Sequence, residues 1–203
     1  MRAARENIGV RIVGGDDAAK ARYPYHVSLV DGGMFHRCGG SLIASDVVLS
    51  AAHCAGSALR WAIIGQYERS LDSGKDDYEM IEIARQYINP EFDLHQDRAF
   101  DQMILKLSRP STMPTVTLNF DPDIPQVAGE DLTVIGLGTT DFQGPYPKVL
   151  QQVTVDYVNN TQCRQAKGSG LSYDKVVTPD MICIYARDQG QCNGDSGKWT
   201  CSN

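Results

Sequence analysis

The chain has 203 residues, 42% of them hydrophobic and 22% charged, which is the balance of a globular protein that buries a core. A net charge of −6 without a basic run argues against a nucleic-acid partner. No apolar stretch approaches the roughly 18 residues of a membrane-spanning helix, so we expect no membrane partner either. The length suits one large domain or two closely packed halves.

The first eleven residues form a polar leader that carries three arginines and ends at Arg11. Residues 1–11 contain no apolar run, so they are not a complete signal peptide. If the protein is exported, either a signal peptide has been lost upstream of this sequence or export has another explanation. The next stretch, Ile12-Val13-Gly14-Gly15, fits either a strand end followed by a turn or a new N-terminus made by cleavage after Arg11.

Short apolar runs separated by turn residues then follow one another along the first half. This spacing predicts an all-β barrel or sandwich, and no long stretch with a helical period competes with it. The predicted strands are residues 25–30, a strand starting at Met34, and residues 38–43, 46–50, 61–65 and part of 80–88.

Three more features complete the expected organisation. Asp101 stands immediately before an apolar strand at residues 103–107. Four prolines within residues 109–125 exclude a central strand there and predict a connector between two halves. The second half restarts with predicted strands at residues 132–138 and 149–155.

The six cysteines are scattered, and none forms a Cys-x-x-Cys pair. This spacing gives no support for a structural zinc site. An even number of scattered cysteines indicates disulfides and an oxidising compartment. Free buried thiols are the alternative, and the count alone does not decide the pairing.

Ser196 is placed like a nucleophile, in Gly194-Asp195-Ser196-Gly197. A serine hydroxyl needs a base to take its proton and donors to hold the oxyanion. Gly194 has no side chain, so its backbone N–H can turn inward beside that of Ser196. The tetrapeptide alone also fits an ordinary turn. A phosphate loop is excluded, because Cys192 holds the position of its first glycine and Trp199 replaces the Ser or Thr.

His53 and Asp101 supply the base and the acid that such a serine needs. Asp93 and Asp97 are nearby, but only Asp101 directly precedes the apolar strand. Five stretches, in their order and separation, resemble those of the chymotrypsin-fold (trypsin-like, S1) serine proteases. They are residues 12–15, 38–43, 49–54, Asp101 with the strand at 103–107, and 194–197.

The resemblance implies an all-β fold of two six-stranded antiparallel Greek-key barrels. A leader or activation peptide at residues 1–11 would precede a protease domain at residues 12–203. We expect the first barrel at about residues 12–115, the connector at about 109–125, and a second barrel, incomplete at its C-terminus, at about 126–203.

The resemblance also implies a serine endopeptidase that works through a Ser-His-Asp triad and an acyl-enzyme. Ser196 would be the nucleophile, His53 the general base, and Asp101 the carboxylate that orients it. The backbone N–H groups of Gly194 and Ser196 would form the oxyanion hole. Protein or peptide substrates are expected, and neither a metal nor another cofactor.

A latent precursor belongs to the same resemblance. An activating protease would cleave after Arg11, and the freed Ile12 ammonium would insert and pair with Asp195. The family further implies a secreted monomer. The disulfides it implies are Cys38–Cys54 and Cys163–Cys183.

Several features depart from the family pattern. Gly197 is followed by Lys198-Trp199 instead of a glycine and a proline, and we expect residues 198–203 not to be the native continuation. The family partner of Cys192 is absent, and whether Cys201 replaces it stays open. We therefore also consider a gene-model fragment or a catalytically inactive homologue that binds proteins.

Two further regions bear on specificity and metal binding. Gly190 stands at the family's pocket floor, where cleavage after Lys or Arg needs an acid; Asp188 is two residues away. This predicts apolar or small P1 side chains. A calcium loop is less favoured than a solvated acidic loop. Its candidate ligands are Glu68, Asp72, Asp76, Asp77 and Glu79.

Overall fold

A computed structural model of the chain describes residues 15–56, 58–71, 77–93, 99–121, 124–125, 127–139, 145–166, 173–185 and 200–202. The described part is built mainly of antiparallel strands, which confirms the predicted all-β fold. The strands are β1 (Asp16–Asp17), β2 (His26–Asp31), β3 (His36–Ala44), β4 (Val47–Ser50), β5 (Leu59–Ile64), β6 (Glu79–Ile88), β7 (Met103–Leu107), β8 (Asp131–Gly136), β9 (Gln151–Val158), β10 (Ile182–Tyr185) and β11 (Thr200–Ser202).

The helical elements in the described ranges are short. They are a 3-10 turn at Ala52–Gly56, the α-helix α1 (Asn160–Gln165) and a second 3-10 turn at Tyr173–Lys175. None of the helices in the described ranges is long and apolar enough to cross a membrane.

Strands β2 to β7 form a closed barrel in the order β2-β3-β4-β7-β6-β5, with β5 pairing back to β2. Side chains alternate between the two faces of a strand, and β7 shows why the sequence fits. Met103, Leu105 and Leu107 are buried in the barrel, whereas Ile104 and Lys106 are partly exposed. Other members of this core are Val27, Leu29, Leu42, Val48, Ala62, Ile64 and Ile81.

Gly40 shows a local requirement of the barrel wall. A Cβ atom at Gly40 would lie 2.8 Å from Cγ1 of Val48 and 3.0 Å from the carbonyl oxygen of Leu49. The close approach of β3 and β4 therefore needs a glycine at this position.

In the second half, the described strands form a five-stranded antiparallel sheet around β9. Strand β8 pairs with residues 151–156 of β9. β1 pairs with Gln151 and Gln152, and β10 pairs with residues 156–158. β10 also pairs with β11. Although β1 comes first in the chain, it belongs to this second sheet and not to the barrel.

The predicted connector at residues 109–125 contains no strand among its described residues. It is tied to the barrel instead. Glu79 of β6 accepts hydrogen bonds from the Thr112 backbone N–H, at 3.0 Å, and from the Thr112 hydroxyl, and it lies 3.5 Å from Nη1 of Arg109. Glu79, one of the candidate calcium ligands, is therefore already bound by groups of the connector.

Two disulfides connect the short helical elements to the strands. Cys38 of β3 is bonded to Cys54 of the first 3-10 turn, and Cys163 of α1 is bonded to Cys183 of β10. These are the two pairs that the family resemblance implies. Their sequence separations of 16 and 20 residues mean that each closes a moderate loop, which restricts the unfolded chain.

Candidate active site

His53 lies in the 3-10 turn that directly follows β4. Its neighbours Ala52 and Cys54 are buried, at 2% exposure each, while 36% of the His53 side chain is exposed. The Cys38–Cys54 disulfide ties this turn to β3. The local structure therefore anchors the residues on both sides of His53 and leaves its ring accessible.

Asp101 reaches His53 because of the pairing of β4 with β7. The two strands are antiparallel, and Ser50 at the end of β4 faces Met103 at the start of β7. The residue segments just after β4 and just before β7 therefore meet at one end of the barrel. Asp101 is 6% exposed there, so its carboxylate is largely removed from water.

Both carboxylate oxygens of Asp101 bind His53. Oδ2 lies 2.6 Å from Nδ1 of His53, and Oδ1 accepts the His53 backbone N–H at 2.8 Å. An ionised carboxylate only accepts hydrogen bonds, so Nδ1 carries the proton and Nε2 of a neutral ring is the basic nitrogen. This pair, the His53–Asp101 dyad, holds one tautomer in one orientation.

The backbone around Asp101 forms a tight turn. Phe100 has a φ of 57°, and the Gln102 N–H donates to the Phe100 carbonyl oxygen at 2.7 Å. The Phe100 N–H donates to Oδ2 of Asp180, at 2.6 Å, across 80 positions of sequence. Partial burial raises the pKa of Asp180, but hydrogen bonds to its carboxylate, that of Phe100 included, outweigh burial and hold the pKa below its usual value.

A second polar group lies on the face of β2 that points away from the barrel core. Ser28 Oγ is 2.7 Å from Nδ1 of His36, and both residues line a small cleft together with Leu137 of the second half. Burial, with a smaller effect of the Arg69 charge, lowers the pKa of His36 to about 4. Neither Ser28 nor His36 was singled out from the sequence, because their contact arises only when β2 pairs with β3.

His26 lies on the same face of β2 and is 3% exposed. Neither of its ring nitrogens has a hydrogen-bond partner within the part of the chain that the structure describes. Burial, and to a smaller extent the nearby His36, lowers the pKa of His26 to about 4. His26 is therefore neutral at physiological pH.

The sulfur atoms of Cys38 and Cys54 lie within 4.8 Å of a ring nitrogen of His53. Soft metals bind such groups only through free thiolates. Because these sulfurs are joined in a disulfide, the group cannot act as a metal site in this form. The Cys38–Cys54 disulfide instead lies next to His53, the candidate general base.

Several predicted site residues lie outside the described residues. They are Arg11, Ile12, Gly190, Cys192, Gly194, Asp195 and Ser196. Of the predicted triad, the structure therefore brings together His53 and Asp101. It also shows Asp180, which sequence reasoning missed because nothing local relates it to Asp101.

The family model described as Trypsin matches residues 12–198 of the chain. The chain belongs to the trypsin family. This trypsin-family chain is 34% identical over 194 residues to trypsin from Sus scrofa, with 92% of the chain and 78% of that protein covered. It is equally identical to trypsin I-P1 from Gallus gallus, with 92% and 72% covered, and 33% identical to trypsin from Xenopus laevis, with 92% and 74% covered.

Among solved structures, the trypsin-family chain is similar to neuropsin, a serine protease expressed in the limbic system of mouse brain. The TM-score is 0.74 at 23% identity, with 94% of this chain and 82% of the neuropsin chain covered. That likeness supports the fold. Together with the sequence matches, it confirms the resemblance to chymotrypsin-fold proteases and identifies the trypsin-family chain as a serine endopeptidase.

Proposed function

We propose that this serine endopeptidase hydrolyses peptide bonds with a triad of Ser196, His53 and Asp101 through an acyl-enzyme. The observation that carries the proposal is the His53–Asp101 dyad, in which both carboxylate oxygens hold the imidazole. Nε2 is then the nitrogen left to take a proton, and the ring is exposed enough for a substrate to reach it.

In the proposed mechanism, Nε2 of His53 takes the proton of Ser196 Oγ as that oxygen attacks the scissile carbonyl carbon. Asp101 stabilises the imidazolium without taking its proton. The N–H groups of Gly194 and Ser196 hold the oxyanion. His53 then gives the proton to the leaving amine, and a water molecule repeats the sequence to release the acyl group.

We infer that the chain is made as a secreted zymogen and acts as a monomer. Cleavage after Arg11 by an activating protease would free Ile12 to pair with Asp195, because a buried ion pair forms only when both partners are charged and present. The pairing of β1 with β9 supports this, since it anchors the segment just after Ile12 on the second half. The two disulfides fit an oxidising compartment.

The triad is tested by labelling with a fluorophosphonate, which reacts only with an activated serine. After cleavage at Arg11, we expect a single adduct, on Ser196, read by intact mass and peptide mapping. His53→Ala should abolish labelling because the base is lost. The uncleaved chain is the matched control, and its labelling should be much slower.

A folded, cleaved sample without an adduct would contradict the triad. Circular dichroism and the unfolding transition establish that the sample is folded. Such a result would favour the alternative function, a catalytically inactive homologue that binds proteins.

The primary specificity is a separate prediction. Because Gly190 offers no carboxylate at the proposed pocket floor, substrates with Phe, Leu or Ala at P1 should have a higher kcat/KM than those with Arg or Lys. Gly190→Asp should shift the preference towards Arg by about tenfold or more. A wild-type preference for Arg would show that another acid, such as Asp188, serves the pocket.

A further inference from the structure

The hydrogen bond between Phe100 and Asp180 joins the two halves of the molecule next to the His53–Asp101 dyad. Its donor is the backbone N–H of the residue just before Asp101, and its acceptor is a carboxylate oxygen 2.6 Å away. A hydrogen bond to a charged acceptor is stronger than a neutral one. The bond therefore acts on the backbone that carries the dyad's acid.

The conformation of Phe100 explains why this backbone segment has to be stabilised by a hydrogen bond. Its φ of 57° lies in the left-handed region, which non-glycine residues adopt only when their surroundings impose it. The bond from the Gln102 N–H to the Phe100 carbonyl oxygen, at 2.7 Å, places Asp101 at the centre of a three-residue turn. A change in φ at Phe100 would swing the Asp101 carboxylate away from His53.

Asp180 itself sits on a firmly supported turn. The Met181 N–H donates to the Thr178 carbonyl oxygen at 3.2 Å. The side-chain amide of Asn160, in α1, donates to the carbonyl oxygens of Thr178 and Met181 at 3.0 and 2.9 Å. Beyond the turn, Cys183 is bonded to Cys163 of the same helix. The Asp180 carboxylate therefore lies on a turn that is fixed by hydrogen bonds to α1 and by the disulfide between α1 and β10.

We propose that Asp180 is a positioning residue for the triad: its carboxylate fixes the Phe100 peptide and so holds Asp101 in the geometry that orients His53. The inference rests on the proposed function, but it adds a residue from the second half to the control of a dyad formed wholly within the first. Asp180 does not touch the reacting atoms. It acts through the backbone of Phe100.

The test compares two substitutions at one position. Asp180→Ala removes the acceptor, whereas Asp180→Asn keeps an oxygen that accepts the Phe100 N–H. We expect Asp180→Ala to lower kcat by about 10- to 100-fold with KM nearly unchanged, as for other small displacements of catalytic groups. Asp180→Asn should stay within about threefold of wild type, since a neutral acceptor still fixes the peptide. Asp174→Ala, an exposed aspartate of the same half, is the matched control and should have wild-type kcat.

A second readout does not depend on activity. In a Ser196→Ala background, the proton on Nδ1 of His53 should give a low-field NMR resonance because it is held against Asp101. Asp180→Ala should broaden or shift this resonance and Asp180→Asn should restore it. If wild type is inactive but the resonance behaves in this way, the positioning role stands while the proposed activity fails.

Two outcomes would overturn the inference in an active wild-type enzyme. One is an unchanged kcat and an unchanged resonance in Asp180→Ala. The other is an equal loss in Asp180→Ala and Asp180→Asn, which would show that the negative charge matters and not the hydrogen bond. Unfolding measurements on each variant separate a loss of kcat from a loss of folded protein.

Discussion

Asp101→Asn is expected to lower kcat about 10⁴-fold while KM changes little. An asparagine amide still accepts the His53 backbone N–H, now held at 2.8 Å by Oδ1. Its NH₂ group, however, donates to Nδ1 of His53. The ring proton then moves to Nε2, and His53 can no longer take the proton of Ser196. Steady-state kinetics on a peptide ester substrate measures the effect.

The control for this substitution is Asp46→Asn. Asp46 is also an aspartate of the first barrel with a close basic partner, Lys106 Nζ, at 2.5 Å. Because this pair is partly exposed, its loss should cost less than about 1 kcal/mol of unfolding free energy and leave kcat unchanged. If Asp101→Asn retained more than a tenth of wild-type kcat, Asp101 would not be the residue that sets the tautomer.

The second large effect concerns acid stability. The pKa values of His26 and His36 are each lowered from 6.5 to about 4 in the folded chain. Between these values the unfolded state binds more protons than the folded state, so stability falls as the pH drops from about 6.5 to 4 and is fully present above 6.5. Each histidine contributes about 3 kcal/mol to this loss.

His26→Leu should remove the part of the acid-dependent loss of stability that comes from His26. Neither ring nitrogen of His26 has a partner among the described residues, so the substitution breaks no hydrogen bond there and replaces buried polar atoms by apolar ones. We expect a gain in unfolding free energy of about 1 kcal/mol at pH 7.5 and a larger gain near pH 4.5. Denaturant unfolding at both pH values, in a Ser196→Ala background that prevents self-digestion, gives the measurement.

His26→Gln separates titration from packing. Glutamine is polar but has no proton to gain over this range, so it should flatten the pH dependence without the full gain at pH 7.5. Identical slopes of stability against pH for wild type and both variants would show that His26 does not titrate on unfolding.

The sequence predicted most of the barrel because its strands are short apolar runs separated by turn residues. Residues 103–107 were predicted as a strand and form β7 with the same bounds. The ends of the next two strands were displaced by one to three residues: 132–138 was predicted where β8 covers Asp131–Gly136, and 149–155 where β9 covers Gln151–Val158. Ends shift in this way because they depend on neighbouring strands and not on local pattern.

The elements that sequence reasoning missed are those held by tertiary contacts. Helix α1 has six residues, too few for a helical period, and it is fixed by the N-cap of Asn159 and by the disulfide of Cys163. Strand β1 has two residues and exists through its pairing with β9.

The same distinction applies to the site. Asp101 could be singled out because it directly precedes a strand, which is a local feature. Its approach to His53 depends on the pairing of β4 with β7. Asp180 carried no local signal, since its contact with Phe100 arises only when the two halves dock.

Strand β9 forms backbone hydrogen bonds with two strands that are far apart in the sequence, β1 and β10. One end of the strand is paired with β1, which begins shortly after Ile12 in the sequence, and the other with β10, which comes before Gly194 and Ser196 in the sequence. The N-terminal segment and β10 therefore share one hydrogen-bond ladder, and a firmer pairing of β1 with β9 should also stabilise the pairing of β9 with β10. Amide hydrogen exchange along β9 would register cleavage after Arg11 as slower opening of this ladder.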